Sequence, residues 1–196
     1  MLKDGRNYRV FSGNLENIKS DNEEPSYTVE GRAIVFDTPT VLWECDGIEY
    51  KEIISRKALE GCDLSDVIFN YNHGGKVLAR LRNKTLSLEE RADGLYIRAY
   101  LGGTEEGKRM HEEISGGYID RMSFSFGDFE SDYDKNTHTR TITKIKKLYD
   151  VSAVDIPAYE ATEIAARSSF SVEHDKEIKA MELAERRRRI SIGLSL

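Results

Sequence analysis

Along this chain apolar and polar residues mostly alternate, and a period of two is the signature of strands with one buried face. From Tyr27 the pattern is strand-like, with Val29, Ala33, Ile34, Val35 and Phe36 ahead of a turn at Asp37-Thr38-Pro39, and a second run covers 47–54. Four short strands are predicted next, over 67–72, 77–82, 85–89 and 94–101. The strongest β signal is a long hairpin, 119–129 with 139–157, around the polar turn 131–137. Two helices interrupt the strands. A short one over 56–60 has Ser55 to cap it and Gly61 to end it in a left-handed conformation. A longer one begins after Thr104, whose hydroxyl can cap, and carries Glu105 and Glu106 in its positive first turn. Met110 and Ile114 share its buried face, Gly107 weakens it, and Gly116-Gly117 stops it. Dense strands with few helices between them predict a mostly β (α+β) fold with an antiparallel, barrel-like core.

The two ends read differently. Residues 12–25 form a polar connector in which Asp21, Glu23 and Glu24 precede Pro25, and 172–190 is highly charged with helical propensity, ending in four arginines at 186–189. The expected organisation is therefore an N-terminal arm and acidic connector over 1–26, a folded domain over 27–167 and a charged tail over 168–196. A length of 196 residues suits one such domain with appendages. The net charge of −6 argues against a nucleic-acid partner and points to proteins instead. No apolar run reaches 18 residues and the first residues lack the apolar stretch of a signal peptide. No membrane partner is expected, and the protein is expected to stay in the cytosol of the cell that makes it. Cys45 and Cys62 lie far apart, outside any metal-ligand spacing, which fits a reducing compartment.

Three strand-like segments carry side chains suited to acyl transfer: Asn-Tyr-Asn-His-Gly at 70–74, Met-Ser-Phe-Ser-Phe at 122–126, and Leu-Tyr-Asp-Val-Ser-Ala-Val-Asp-Ile-Pro-Ala at 148–158. Each brings one member of a base, nucleophile and orienter set. Alternation turns Met122, Phe124 and Phe126 toward the core and Ser123, Ser125 and Gly127 to the opposite face, which is either a cleft floor or simply the solvated side of a sheet. Of His73, His111, His138 and His174, only His73 ends an apolar strand at a glycine pair, Gly74-Gly75, with Val67, Phe69 and Tyr71 alternating onto its face. Asp150 and Asp155 are five apart, hence on opposite faces of a regular strand, and only one can point at a cleft. Gly116, Gly117 and Gly127 permit a nest of backbone N–H donors without marking one. The chain order His, Ser, acid matches none of the chymotrypsin, subtilisin and α/β-hydrolase orders, and no Gly-x-Ser-x-Gly elbow is present.

Taken together, the asparagine-histidine segment, the methionine-serine strand and the acid-valine-serine strand ending in proline-alanine resemble, in this order, those of the phage prohead (procapsid maturation) proteases. The resemblance covers roughly 27–167. It implies a serine endopeptidase with Ser123 as nucleophile, His73 as base and Asp150 as orienter; glutamate is more usual at the place of Asp150, and glycine is frequent at that of Ser125. It also implies a herpesvirus-type assembly-protease architecture, and cleavage of scaffold segments or the major capsid protein inside a portal-containing procapsid in the bacterial host cytoplasm. Self-processing beyond Ala158 is a further implication. No metal or organic cofactor and no nucleic-acid partner is implied, and oligomerisation is left open. The rival reading of another class is a non-catalytic capsid-assembly or scaffold-binding protein built on the same sheet.

Overall fold

The computed structural model describes residues 6–11, 15–17, 27–155, 170 and 174–188. Most of the acidic connector, the segment 156–169 with the expected trimming region, and the chain from 189 onward lie outside the described residues.

Three open sheets make up the fold. The first has the order β1 (Asn7–Phe11), β10 (Arg121–Phe126), β13 (Leu148–Val154), β6 (Ile68–Tyr71), β7 (Gly74–Arg80). The second runs β11 (Phe129–Asp134), β12 (Thr139–Ile145), β5 (Ile48–Ile54), β4 (Thr40–Cys45). The third runs β2 (Leu15–Asn17), β3 (Thr28–Val35), β9 (Gly94–Tyr100), β8 (Leu86–Arg91). The helices are α1 (Glu105–Ser115) and α2 (174–188). The mostly β expectation is met, but the barrel-like core is corrected: among the described residues no sheet closes on itself. The antiparallel expectation is also too simple, because β13 pairs with β6, and β12 with β5, in parallel.

The reason lies in the long hairpin, which splits. β10 pairs with β13 in one sheet while β11 pairs with β12 in another, and the break falls at Gly127-Asp128 and Lys146-Lys147. Backbone bonds from Gly127 N to Lys147 O (2.9 Å) and from Lys146 N to Asp128 O (2.9 Å) carry the ribbon across the bend. One face of each half then packs inward. Met122, Phe124 and Phe126 are fully buried beside Val29, Ile34, Phe69, Ile97 and Val151, so the apolar side of the serine strand lies where alternation put it.

The short helix over 56–60 does not form. Bonds from Ala58 N to Ser55 O, Glu60 N to Lys57 O and Cys62 N to Leu59 O make a chain of tight turns. The Ala58 carbonyl, which an α-helix would offer to Cys62, instead accepts from Ile145 N at 2.7 Å, so tertiary pairing overrides local propensity. β4 escaped the pattern reading because its burial has no clean alternation. In α1, Thr104 accepts from Gly107 N at 3.0 Å, and Met110 and Ile114 are buried. Gly107 is a packing requirement, since a Cβ there would stand 2.1 Å from the Leu101 carbonyl oxygen.

Both ends of the chain add to these layers. β1 and β2, from within the expected arm, pair with β10 and β3. Phe170 is buried against Tyr50 beside Trp43, Leu42 and Tyr133, with the Arg140 guanidinium 4.3 Å from its ring centroid. The start of α2 is fastened to the same sheet: His174 Nδ1 lies 2.5 Å from Tyr50 Oη, and Glu177 3.4 Å from His138. Beyond that point α2 is largely exposed.

Candidate active site

Three adjacent strands of the first sheet bring the candidate residues together. The acid strand β13 lies between the serine strand β10 and the histidine hairpin β6–β7. Ser125 faces Asp150 and Ser123 faces Ser152 across β10 and β13, while Asp150 aligns with Ile68 and Ser152 with Asn70 across β13 and β6.

His73 sits in the turn itself. The expected glycine turn is displaced: Gly74 and Gly75 begin β7, and Asn72-His73 form the two-residue connection, with φ of 47° and 55°. Two successive positive φ values are those of the hairpin turn whose twist matches its strands, and asparagine and histidine are among the non-glycine residues that enter this region most readily. β13 holds this conformation. Asn72 N donates to Ala153 O (3.0 Å), Asn72 Nδ2 to Asp155 Oδ1 (3.0 Å), and His73 N to Ser152 Oγ (3.3 Å).

The imidazole then reaches both ways. His73 Nδ1 is 2.6 Å from Asp150 Oδ1, and Nε2 is 2.5 Å from Ser123 Oγ. Asp150 is buried at 1 % exposure, and further donors support it: Ser125 Oγ donates to Oδ2, and Ser152 Oγ lies 2.9 Å from Oδ1. The Ser152 hydroxyl has a second acceptor in Asn70 Oδ1. Burial works to raise the pKa of Asp150, but the hydrogen bond and charge of His73 and the two serine hydroxyls outweigh it, and the carboxyl lies below its ordinary range. A buried carboxylate supplied with this many donors stays ionised.

Asp155 lies elsewhere. It is exposed and accepts from Tyr71 Oη (2.5 Å) and Asn72 Nδ2, so it pins the hairpin from outside. The other histidines are also remote from Ser123: His111 packs edge-on to Tyr27, while His138 and His174 adjoin the Tyr50 cluster. The candidate donor glycines have their N–H groups engaged, Gly116 on Glu112 O, Gly117 on Ile114 O and Gly127 on Lys147 O. An open groove of about 480 Å³ adjoins the hairpin, between Tyr71, Asn72 and Leu78 on one side and Arg109, Met110 and Glu113 on the other.

The face expected to be either a cleft floor or a solvated side is instead closed. Ser123 and Ser125 are both fully buried, and the arm contributes to this: the Tyr8 ring meets His73 edge-on at 4.7 Å, and Ser123 Oγ is 2.8 Å from Arg9 O. Sequence reasoning missed Tyr8, Arg9, Asn70 and Ser152. Ser152 could have been found, because it is two residues from Asp150 and shares its face. The arm left no comparable signal, since its partner strand is more than a hundred residues away.

A serine hydroxyl, an imidazole and a buried carboxylate in hydrogen-bond sequence make up the constellation used by serine hydrolases. Residues 14–178 match the family described as Caudovirus prohead serine protease, and the chain belongs to that family; it is a serine protease of procapsid maturation. No curated protein matches the sequence. Among solved structures the chain is similar to the bacteriophage T4 capsid assembly protease, gp21, at 11% identity and a TM-score of 0.44, over 76% of this chain and 96% of that one.

Proposed function

We propose that Ser123, His73 and Asp150 are the nucleophile, general base and orienting acid of an endopeptidase that cuts scaffold or capsid-protein segments inside the procapsid. The observation that carries this reading is that the two ring nitrogens of His73 meet Ser123 Oγ and Asp150 Oδ1 at the same time. Asp150 accepts a hydrogen bond from Nδ1–H, which holds the proton on Nδ1 and leaves Nε2 as the acceptor. Ser123 Oγ bonds to the scissile carbonyl carbon while its proton passes to Nε2. The C–N bond then breaks and that proton leaves with the amine. Water repeats the sequence on the acyl ester, giving its proton to Nε2, and Ser123 takes the proton back as the new carboxyl end departs. Ser125 and Ser152 keep Asp150 anionic through the cycle, so it stabilises the imidazolium without taking up the proton.

The same reading assigns the wider setting: the major capsid protein and scaffold segment as substrates, a portal-containing procapsid in the host cytoplasm as the compartment, and trimming of the chain's own charged tail. No helix among the described residues is long and apolar enough to cross a membrane. A protease domain ending near 167 with a removable segment after it belongs to this reading, as does the herpesvirus-type assembly-protease architecture, which the strand-borne serine and acid support. The test is incubation of wild type and Ser123→Ala with the capsid protein encoded beside the protease, alongside labelling by a fluorophosphonate. Defined fragments and a label on Ser123, both lost in the variant, are expected. Cleavage that persists in Ser123→Ala would refute the assignment.

A further inference from the structure

The arm lies where a peptide would have to lie. β1 is the outermost strand of its sheet and runs antiparallel to the serine strand, with Val10 opposite Ser123 and Arg9 opposite Phe124. The carbonyl oxygen of Arg9 is the backbone group at the nucleophile, 2.8 Å from Ser123 Oγ. The Ser123 hydroxyl has a single proton, so a hydrogen bond to Arg9 O competes with the one to His73 Nε2. Arg6 Nη1 stands 3.9 Å from Asp150 Oδ2, so the segment 6–9 touches all three site residues.

The side chain of Arg9 goes the other way. It passes between the first and second sheets, where Glu52 on β5 takes the guanidinium with both oxygens, Nε to Oε1 and Nη2 to Oε2, the latter at 2.9 Å. Both side chains are nearly sealed from solvent, at 5% and 3% exposure, and the guanidinium carbon lies 5.5 Å from the Phe126 ring centroid. A carboxylate this deep needs a cation, because an unpaired buried charge is strongly unfavourable. The planar guanidinium satisfies both oxygens at once.

We propose that residues 7–11 occupy the substrate strand of this protease, and that Glu52 is a specificity-determining residue that accepts arginine or lysine at the substrate position whose carbonyl faces Ser123. The inference rests on Ser123 being the nucleophile. Pairing of an extended peptide with a sheet edge is a recurrent mode of recognition, in which main-chain bonds supply affinity and side-chain pockets supply selectivity. Among the described residues β1 has no strand on its outer side, so its departure leaves the interior ladders of the sheet intact and opens a slot ending at Glu52. A neutral residue in that slot leaves Glu52 unpaired, and an acidic one repels it.

The test uses the full-length chain and a set of otherwise identical twelve-residue peptides with Arg, Lys, Gln, Leu or Glu at one position, the cut being located by mass spectrometry. The Arg and Lys peptides are expected to be cut after that residue with kcat/KM roughly 10² or more above the Gln and Leu peptides, the range set when a buried polar group is left unpaired. Glu52→Gln should erase that preference, and Arg9→Ala should lower KM for the Arg peptide by removing the resident competitor. Should Glu52→Gln fail to fold, the preference of the wild type decides alone. Cleavage of the Leu or Glu peptide as efficient as that of the Arg peptide overturns the proposal, as does a wild type that cuts capsid protein but no basic peptide. In those cases Ser123 still labels with the fluorophosphonate and the nucleophile assignment stands. An unlabelled Ser123 with no peptide cut overturns both.

Discussion

Replacing Asp150 by asparagine tests the site most directly, because the change is nearly isosteric and removes little but charge. In the native arrangement Asp150 Oδ1 is 2.6 Å from His73 Nδ1, and the carboxylate is buried. In the proposed reaction the imidazole becomes cationic beside it. Two unit charges centred about 4 Å apart attract by about 4 kcal/mol at an effective dielectric of 20. At about 1.4 kcal/mol per tenfold, that corresponds to roughly 10³ in rate. The hydroxyls of Ser125 and Ser152 decide whether more is lost. Ser125, which faces Oδ2, can rotate to accept from the new amide nitrogen while Ser152 goes on donating at the Oδ1 place, which lets the asparagine oxygen still face His73 Nδ1 and preserves the tautomer. We therefore expect kcat to fall by roughly 10³, with KM within a few-fold, measured as fragment release from capsid protein and accompanied by a melting curve to show that the fold survives. Asp155→Asn, which alters only the outer pin of the hairpin, is expected to stay within a few-fold of wild type. Asp150→Asn retaining more than a tenth of wild-type turnover, or Asp155→Asn falling as far, would refute the reasoning.

Ser125→Ala removes one donor to Asp150 without touching the proposed nucleophile, and should reduce turnover by about tenfold in the same assay, far less than Ser123→Ala, which should abolish it. Gly107→Ala should destabilise the fold by about 1–3 kcal/mol in urea unfolding, the reverse of its helix propensity, because the added Cβ meets the Leu101 carbonyl. The depressed pKa of Asp150 makes its stabilisation fully present above the unfolded value of about 3.9 and lost as pH falls through the folded one; urea midpoints measured between pH 5 and 2 should fall more steeply for wild type than for Asp150→Asn. Active protein should shorten from the C-terminal side beyond Ala158 while Ser123→Ala keeps its full mass; a tail equally stable in both, while capsid protein is being cut, removes self-trimming.

Much of the fold is legible because each strand alternates locally. Met122, Phe124 and Phe126 declare a buried face, and Thr104 through Gly117 declare a helix with its caps, since these signals need only neighbours in sequence. What the chain hides depends on distant partners. The carbonyl of Ala58 is taken by Ile145, which no local window contains, and a short helix is lost to it. The split of the long hairpin depends on where Gly127 and Lys146 bend the ribbon, so strands that read as one barrel wall enter separate sheets. His73 was readable as a residue, but its left-handed turn was not, because asparagine and histidine give a weaker turn signal than the glycine pair beside them. Alternation separates Asp150 and Asp155 only as opposite faces, and only the family resemblance points to Asp150. Which face held the imidazole followed from a parallel pairing with β6 that alternation does not encode.

That parallel pairing has a consequence for timing. β13 separates β10 from β6, so the histidine hairpin acquires its neighbour only when β13, the last strand among the described residues, has been made. Pairings this distant in sequence form slowly, because a long loop must be closed before any contact rewards it. A nascent chain that has emerged only as far as β12 holds Ser123 and His73 on strands with nothing between them. Synthesis itself thus acts as a delay: on the proposed assignment, proteolytic competence waits for β13, and the preceding part of the chain passes through its first folding steps before the site is assembled.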